Sequence, residues 1–362
     1  MTNDLPPKTV LQHVVDVHCH PTDAPEGVSA SAMEELSITI CAMSSMTSDQ
    51  SKVKRLALDH PTKVVPAFGY HPWFSHLISL SENVDKEDHY RSLLLPQSSK
   101  DASLEAEFEK LLPHLPEPRP LKDVIAEVRA NLTDIPRAFI GEVGLDRSFR
   151  VPYDYHATPR ELTSFSIPLQ HQLVILEAQL DLAVELERNV SIHSVKSQQA
   201  TVDLLQRMKQ KVGEEKFLRI SLDLHSCGLS AQTWRDVEKR HPNVFLSLSC
   251  VINHKHSNHR DLIAMCSEDR ILVESDYNTV NMCTPQTWEM VKIVSEVRGW
   301  PLETEWDESL DAEEDKNRWG AVRRLERNWF RFRDGHHKVP VKKNKKQRNQ
   351  EKQYYYESGE DT

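Results

Sequence analysis

The chain has 362 residues, of which 38% are hydrophobic and 28% charged, with a formal net charge of −10. That is apolar material for one large domain or two ordinary ones, and the acidic balance speaks against a protein that coats nucleic acid through a general positive field. No apolar run reaches the roughly 18 residues of a membrane span, and the first residues lack the basic-then-apolar profile of a secretory signal, so neither is expected.

Eight short apolar runs recur in chain order, at residues 14–18, 38–43, 64–69, 138–143, 190–193, 220–224, 244–248 and 271–273. Most are rich in Val, Ile and Leu without strict alternation, as in strands buried on both faces. Amphipathic stretches lie between them. Residues 48–60 carry Val53, Leu56 and Ala57 at helical spacing, and residues 169–186 place Leu173, Leu176, Leu180 and Ala183 on one stripe. Further helices are expected at 201–211, 231–240, 258–266 and 285–298. Eight strand–helix alternations predict an α/β fold of the (β/α)8 barrel type. A doubly wound open sheet also alternates, but only 10 glycines are present and none form G-x-G-x-x-G.

Residues 75–131 are too long for an ordinary barrel unit and read as an insertion after the third strand, with a helix at 121–132 returning to the barrel. Residues 317–333, with Trp319, Val322, Leu325, Trp329 and Phe330, predict a helix packed on the barrel, so the folded domain is expected to span 1–333. The acidic stretch 303–315 reads as a loop. Residues 334–362 are expected to be a disordered tail, basic between Lys338 and Lys352, serving nuclear import, phosphate binding or only solvation. Six scattered cysteines without C-x-x-C spacing suit reduced thiols packed as small hydrophobes, which points to the nucleus or cytoplasm.

Residues with metal-ligand chemistry end most of the apolar runs. His18 and His20 share a face at the end of the first. The third leads to His71, the fourth contains Glu142, the fifth ends in His193, the sixth is followed by His225, and the eighth leads to Asp276. Each residue alone has a structural explanation, such as a hydrogen-bonded core histidine or a helix cap. Together they sit where barrel active sites are built, at the C-terminal ends of strands. A dinuclear centre satisfies all these buried polar groups at once, with Glu142 able to bridge two ions.

Taken in order, Asp16-Val-His18-Cys-His20, Gly69-Tyr-His71-Pro, Gly141-Glu142-Val-Gly144-Leu-Asp146, Ser191-Ile-His193-Ser, His225-Ser and Glu274-Ser-Asp276 resemble the TatD family of metal-dependent deoxyribonucleases, of the amidohydrolase superfamily. The long insertion and the His193-Ser-Val-Lys wording are similar to a fungal branch, some of whose members are described as interacting with a mitotic-complex subunit. The resemblance implies that His18, His20, Glu142 and Asp276 hold one divalent ion, and that Glu142, His193 and His225 hold another. It implies Asp276 as general base, His71 near the scissile phosphate, and DNA as substrate. Asp16 is expected to orient a ligand histidine, or else to make an ordinary strand-end hydrogen bond.

Two positions depart from the family. Most members carry arginine two residues after the fifth-strand histidine; here Val195 stands there and Lys196 follows, a point charge without the bidentate fork. The proline usual after the last aspartate is replaced by Tyr277, which either stacks on a base or packs on its own loop. Four histidines favour Zn²⁺ or Mn²⁺, and the carboxylates also admit Mg²⁺. Two other readings stay open: hydrolysis of a small-molecule acyl bond, disfavoured by Glu142 where many bimetallic relatives have lysine, and a protein-interaction role through the 75–131 insertion or the basic tail. Trp73 and Phe74 are either an exposed anchor for such a partner or buried under the insertion. Ser194 lacks the G-x-S-x-G elbow of a serine nucleophile.

Overall fold

All eight apolar runs form strands in the computed structural model, which describes residues 5–96, 101–253, 258–310 and 313–339. They are β1 (Val15–Cys19), β2 (Thr39–Met43), β3 (Val64–Ala67), β4 (Ile140–Asp146), β5 (Val190–Val195), β6 (Leu222–Leu224), β7 (Val244–Leu248) and β8 (Ile271–Val273). β1–β2–β3 pair in parallel, and so do β4 through β8 in sequence. Two seams join these arcs into a closed ring. At one, Ala67 bridges Phe139, and Phe68 N–H donates to the Phe139 carbonyl (2.9 Å). At the other, Asp276 N–H donates to the His18 carbonyl (3.0 Å) and His20 N–H to the Tyr277 carbonyl (2.8 Å). The fold is a (β/α)8 barrel, and its second seam runs through the residues of greatest chemical interest.

Burial explains why the strands lack alternation: every residue of β4 and β7 is buried. One apolar cluster packs the strands against the outer helices. A smaller one joins Val17, Met43, Phe139, Phe245 and Leu272 to Trp329 and Phe332 of the last helix, Ala321–Asp334. This helix covers the end of the barrel where strands begin, since Asn328 donates to the carbonyls of Glu268 and Ile271 and Asn189 to that of Phe332. The opposite end is left for the ligand-type residues.

The helices expected at 169–186 and 231–240 form as Leu169–Leu186 and Ala231–Arg240. The one expected at 285–298 begins earlier, at Val280, because Pro285 sits near enough to the start that only one hydrogen bond is forfeited. The last helix begins at Ala321 rather than 317. Glu303, from the stretch read as an acidic loop, accepts the N–H groups of Val322 and Arg323 (2.9 and 3.0 Å) and so fixes the start.

The insertion after β3 contains a 3₁₀ turn (Pro72–Leu77), a two-residue parallel pair (Ile78–Ser79 with Arg119–Pro120), and helices Lys86–Leu94 and Ala102–Leu111. Helix Leu121–Asp134 then returns to the barrel. Tyr90, Phe108 and Leu111 form a core with Val151, Phe165 and Ile167. These last three come from residues 147–168, a second excursion after β4 that the sequence pattern did not reveal. Against the expectation of disorder from 334, the chain at 336–337 is held on the barrel: His336 and His337 N–H groups donate to the Arg219 and Leu218 carbonyls, and His337 Nε2 lies 2.8 Å from Ser221 Oγ. The expected basic stretch falls mostly on residues 340–362, outside the described residues.

Candidate metal centre

Glu142, from the middle of β4, is buried at the centre of a ring of imidazoles. Its Oε2 lies 3.2 Å from His20 Nε2 and 3.5 Å from His18 Nε2. Its Oε1 faces a different set: His193 Nδ1 at 2.8 Å, His71 Nε2 at 3.4 Å and His225 Nε2 at 3.6 Å. Asp276 Oδ1 stands 3.7 Å from His20 Nε2 and 3.9 Å from His225 Nε2. Two donors each about 2.1 Å from one ion at a tetrahedral angle lie roughly 3.4 Å apart, so these separations suit edges of coordination shells.

Three groups could each hold an ion: His18 with His20 and Asp276, His18 with Glu142 and His225, and His71 with Glu142 and His193. The structure thus brings together all six residues expected as ligands. It differs from the expected division in two respects. His225 stacks on His18 (ring centroids 3.5 Å apart), and His71 joins the Glu142–His193 side. Asp16, Cys19 and Cys283 also converge, but they are buried and the Cys19 thiol donates to the Cys41 carbonyl.

The backs of the histidines are held by residues whose roles sequence reasoning missed. Ser191 Oγ lies 2.7 Å from His18 Nδ1. Glu274 Oε1 lies 2.9 Å from His225 Nδ1, and Asp146 Oδ2 lies 3.2 Å from His193 Nε2. Each leaves the other ring nitrogen facing Glu142, as orientation of a ligand imidazole requires. The signal for them was present: all three stand in the quoted motifs, two residues from a ligand or four in the case of Asp146. Of the two roles expected for Asp16, the strand-end hydrogen bond holds and the orientation of a ligand ring is corrected. It accepts from His18 N–H and from the N–H and hydroxyl of Ser275, so it ties β1 to β8, and among the described residues it bonds to no imidazole nitrogen. A carboxylate two residues before His18 on the same strand reaches backbone more readily than a ring pointing up the barrel.

Close backbone approach explains the glycines of the β4 motif. A Cβ on Gly144, whose φ is +157°, would sit 2.0 Å from the His193 carbonyl oxygen. One on Gly141 would press on Met43 Sδ at 2.9 Å. Three other residues around the centre, Lys196, Ser226 and Asp276, hold left-handed backbone (φ 49°, 40° and 52°) where strands turn into loops. Such strain gathers at functional sites.

Electrostatics separate the groups. Burial, reinforced by His225, pushes His18 down to about 3, and burial pushes His71 down to about 4. Burial also opposes charge on His20 and His193. There the carboxylates outweigh it, Glu142 at His20 and Asp146 with Glu142 at His193, raising them to about 9 and about 8. Asp276 is lifted by burial to about 6, with His225 and His20 limiting the rise. Burial favours a neutral Glu142, but the histidines prevail and hold it well below the usual range. Beneath His225, Ser247 Oγ lies 2.7 Å from Asp223 Oδ2 and 2.5 Å from Glu274 Oε2. One hydroxyl proton cannot serve two carboxylates, so one carboxyl is protonated; burial and the nearby Glu274 charge put that proton on Asp223.

Around the mouth, His71 Nδ1 accepts from Trp73 N–H (3.2 Å), which leaves the proton of the neutral ring on Nε2, facing Glu142. Trp73 is half-buried, donates Nε1–H to Asp146 (2.7 Å) and stacks on Phe149, while Phe74 is buried. Lys196 is exposed and makes no hydrogen bond or ion pair among the described residues. Tyr277 is half-buried and engaged through its backbone, with N–H on Ser275 Oγ and carbonyl on His20 N–H.

The family model for TatD related DNases matches residues 15–309. The Cut9-interacting protein scn1 of Schizosaccharomyces pombe is 28% identical over 329 residues, covering 81% of this chain and 95% of its own. The uncharacterized deoxyribonuclease YMR262W of Saccharomyces cerevisiae is 29% identical over 336 residues, covering 89% and 99%. Among solved structures, the Escherichia coli TatD homologue YJJV aligns with a TM-score of 0.54 at 16% identity, over 91% of this chain and 100% of its own. A TatD family hydrolase of Entamoeba histolytica aligns with a TM-score of 0.55 at 12% identity, over 89% and 98%. At such identities the likeness is one of fold, and it is the same barrel. With the greater part of its length matched, the chain belongs to the TatD-related DNase family.

Proposed function

We propose that the chain is a divalent-metal-dependent phosphodiesterase that hydrolyses DNA. The observation that carries this reading is Glu142, whose two oxygens face two separate sets of nitrogen donors, a geometry suited to a carboxylate between two ions. The donor set, imidazoles with two carboxylates, suits Zn²⁺ or Mn²⁺ and admits Mg²⁺. His18, His20, Glu142 and Asp276 would hold one ion and Glu142 with His193 the second, which His225 would join on leaving its stack against His18. Bound there, such ions lower the pKa of water and neutralise charge on a phosphoryl group.

The chain's own groups complete the chemistry. Asp276, whose carboxylate stands 3.7 Å from His20 and 3.9 Å from His225, would take the proton of the attacking water. His71, neutral and with its proton on Nε2, donates to a phosphate oxygen in front of Glu142. Lys196 and Tyr277 stand on the loops after β5 and β8, where a polynucleotide would pass. Amide hydrolysis has no corresponding observation in its favour. Protein interaction has one, the name of the S. pombe relative, and the insertion is the surface on which it would act.

The test is cleavage of end-labelled single- and double-stranded DNA by metal-stripped protein resupplied with Mg²⁺, Mn²⁺ or Zn²⁺, beside Asp276→Asn. Metal-dependent cleavage at least a hundredfold weaker in the variant is expected. Stoichiometric metal binding without cleavage by any ion would overturn DNA as substrate.

A further inference from the structure

A pocket of about 320 Å³ opens between the barrel rim and the insertion. Its walls are mainly apolar: Tyr70 and Phe74 from the segment after β3, Met46 from the turn after β2, and Leu77 and Ile78 from the start of the insertion. The size lies within the range of small-molecule sites, which bury flat apolar groups and orient them with a few polar ones. One wall is shared with the candidate metal centre. The Phe74 ring stands edge-on to His71, centroids 6.4 Å apart, and His71 faces Glu142.

The rim adds charge. Arg119, contributed by the insertion, commits Nη1 to Thr47 Oγ1 (3.0 Å), the Tyr70 hydroxyl (2.5 Å) and Glu127 (2.9 Å). Among the described residues no hydrogen bond uses its Nε or Nη2, so one edge of the guanidinium remains available beside an apolar cavity. Arg119 is fixed by those three contacts, and Pro116 on the same rim is fixed by the Tyr90 hydroxyl on its carbonyl (2.8 Å). An apolar cavity of this size, walled by Tyr70 and Phe74 and beside a preorganised fork for an oxyanion, suits a nucleobase with its attached phosphate.

We infer that this pocket is a nucleotide subsite, which takes the base next to the scissile phosphate while Arg119 meets the neighbouring phosphate. The inference rests on the reading of the centre as a phosphodiesterase. It makes the insertion a determinant of substrate choice. A phosphodiester without a nucleobase would leave the pocket unused, whereas an oligonucleotide would fill it and also reach Arg119.

Two exposed positions on the pocket test this without touching the centre. Ser48→Trp, at the start of helix Thr47–Asp59, fills the cavity, and Glu117→Arg adds a cation to the rim. The metal-loaded full chain is assayed on a single-stranded oligonucleotide and on bis(p-nitrophenyl) phosphate. The oligonucleotide KM is expected to rise about tenfold in Ser48→Trp and to fall severalfold in Glu117→Arg, with turnover of the small ester unchanged in both. An unchanged oligonucleotide KM in both variants would overturn the subsite, leaving the pocket to an apolar side chain of a protein partner. Failure of wild type on both substrates would instead sink the phosphodiesterase reading. Binding of the oligonucleotide carrying 2-aminopurine then decides the pocket separately: quenching in wild type that Ser48→Trp abolishes supports it, and its absence overturns it.

Discussion

Ser191 and Glu274 sit behind His18 and His225, and neither would touch an ion. Their task is to fix each ring so that its other nitrogen points at Glu142. Removing such a partner typically costs ten- to a hundredfold in metal affinity. Ser191→Ala is therefore expected to weaken metal binding by about tenfold in calorimetric titration, with the melting temperature of the metal-free protein little changed. A second expectation concerns protons. Glu142, joined at His193 by Asp146, keeps His20 and His193 charged well above their ordinary value of 6.5, at about 9 and about 8. A raised pKa stabilises the fold fully below 6.5 and loses that contribution as pH climbs through 8 and 9. Thermal melts of the metal-free protein should thus fall by roughly 5 °C between pH 6.5 and 9. Metal-loaded protein, whose ligands have released those protons, should show little of that slope. The candidate ligands were legible in the sequence because strand ends are fixed points of a barrel. The Asp16 contact was not, since which carboxylate reaches a ring and which reaches backbone depends on side-chain direction.

At the level of elements, the same asymmetry holds between regular and irregular chain. β1 to β8 could be read from short continuous apolar runs, which burial on both faces produces, and Leu169–Leu186 from the helical period that burial of one face produces. Residues 147–168 have no such period, yet Val151, Phe165 and Ile167 complete the core of the insertion. Phe108→Ala, in that core, is expected to cost about 3–5 kcal/mol of local stability. Proteolysis inside the insertion should report it while metal binding persists. The last helix offers a complementary case. Buried Asn328 supplies two hydrogen bonds to the carbonyls of Glu268 and Ile271, and Asn328→Ala leaves both without that donor. About 2 kcal/mol of global stability should be lost in denaturant titration, without change in metal affinity.

Over the whole molecule, the barrel end that carries the candidate ligands and the end that the last helix stabilises are different ends. The last helix and the segment to His337 cover the start of the strands, while every candidate ligand belongs to the other side. A chain ended at residue 333 should therefore melt below one ended at 339, since it loses the backbone bonds of His336 and His337 to Arg219 and Leu218. Its affinity for metal should be unchanged. The seam between β1 and β8 has a consequence for biosynthesis. His18 and His20 leave the ribosome early, and Asp276, which hydrogen-bonds to the His18 carbonyl, leaves late. No ion can find its full set of ligands until the eighth strand has emerged and docked beside the first. An ion held by this full set would therefore be taken up only after residue 276 has left the ribosome, and until then the histidine pair of the first strand would stand without its late partner.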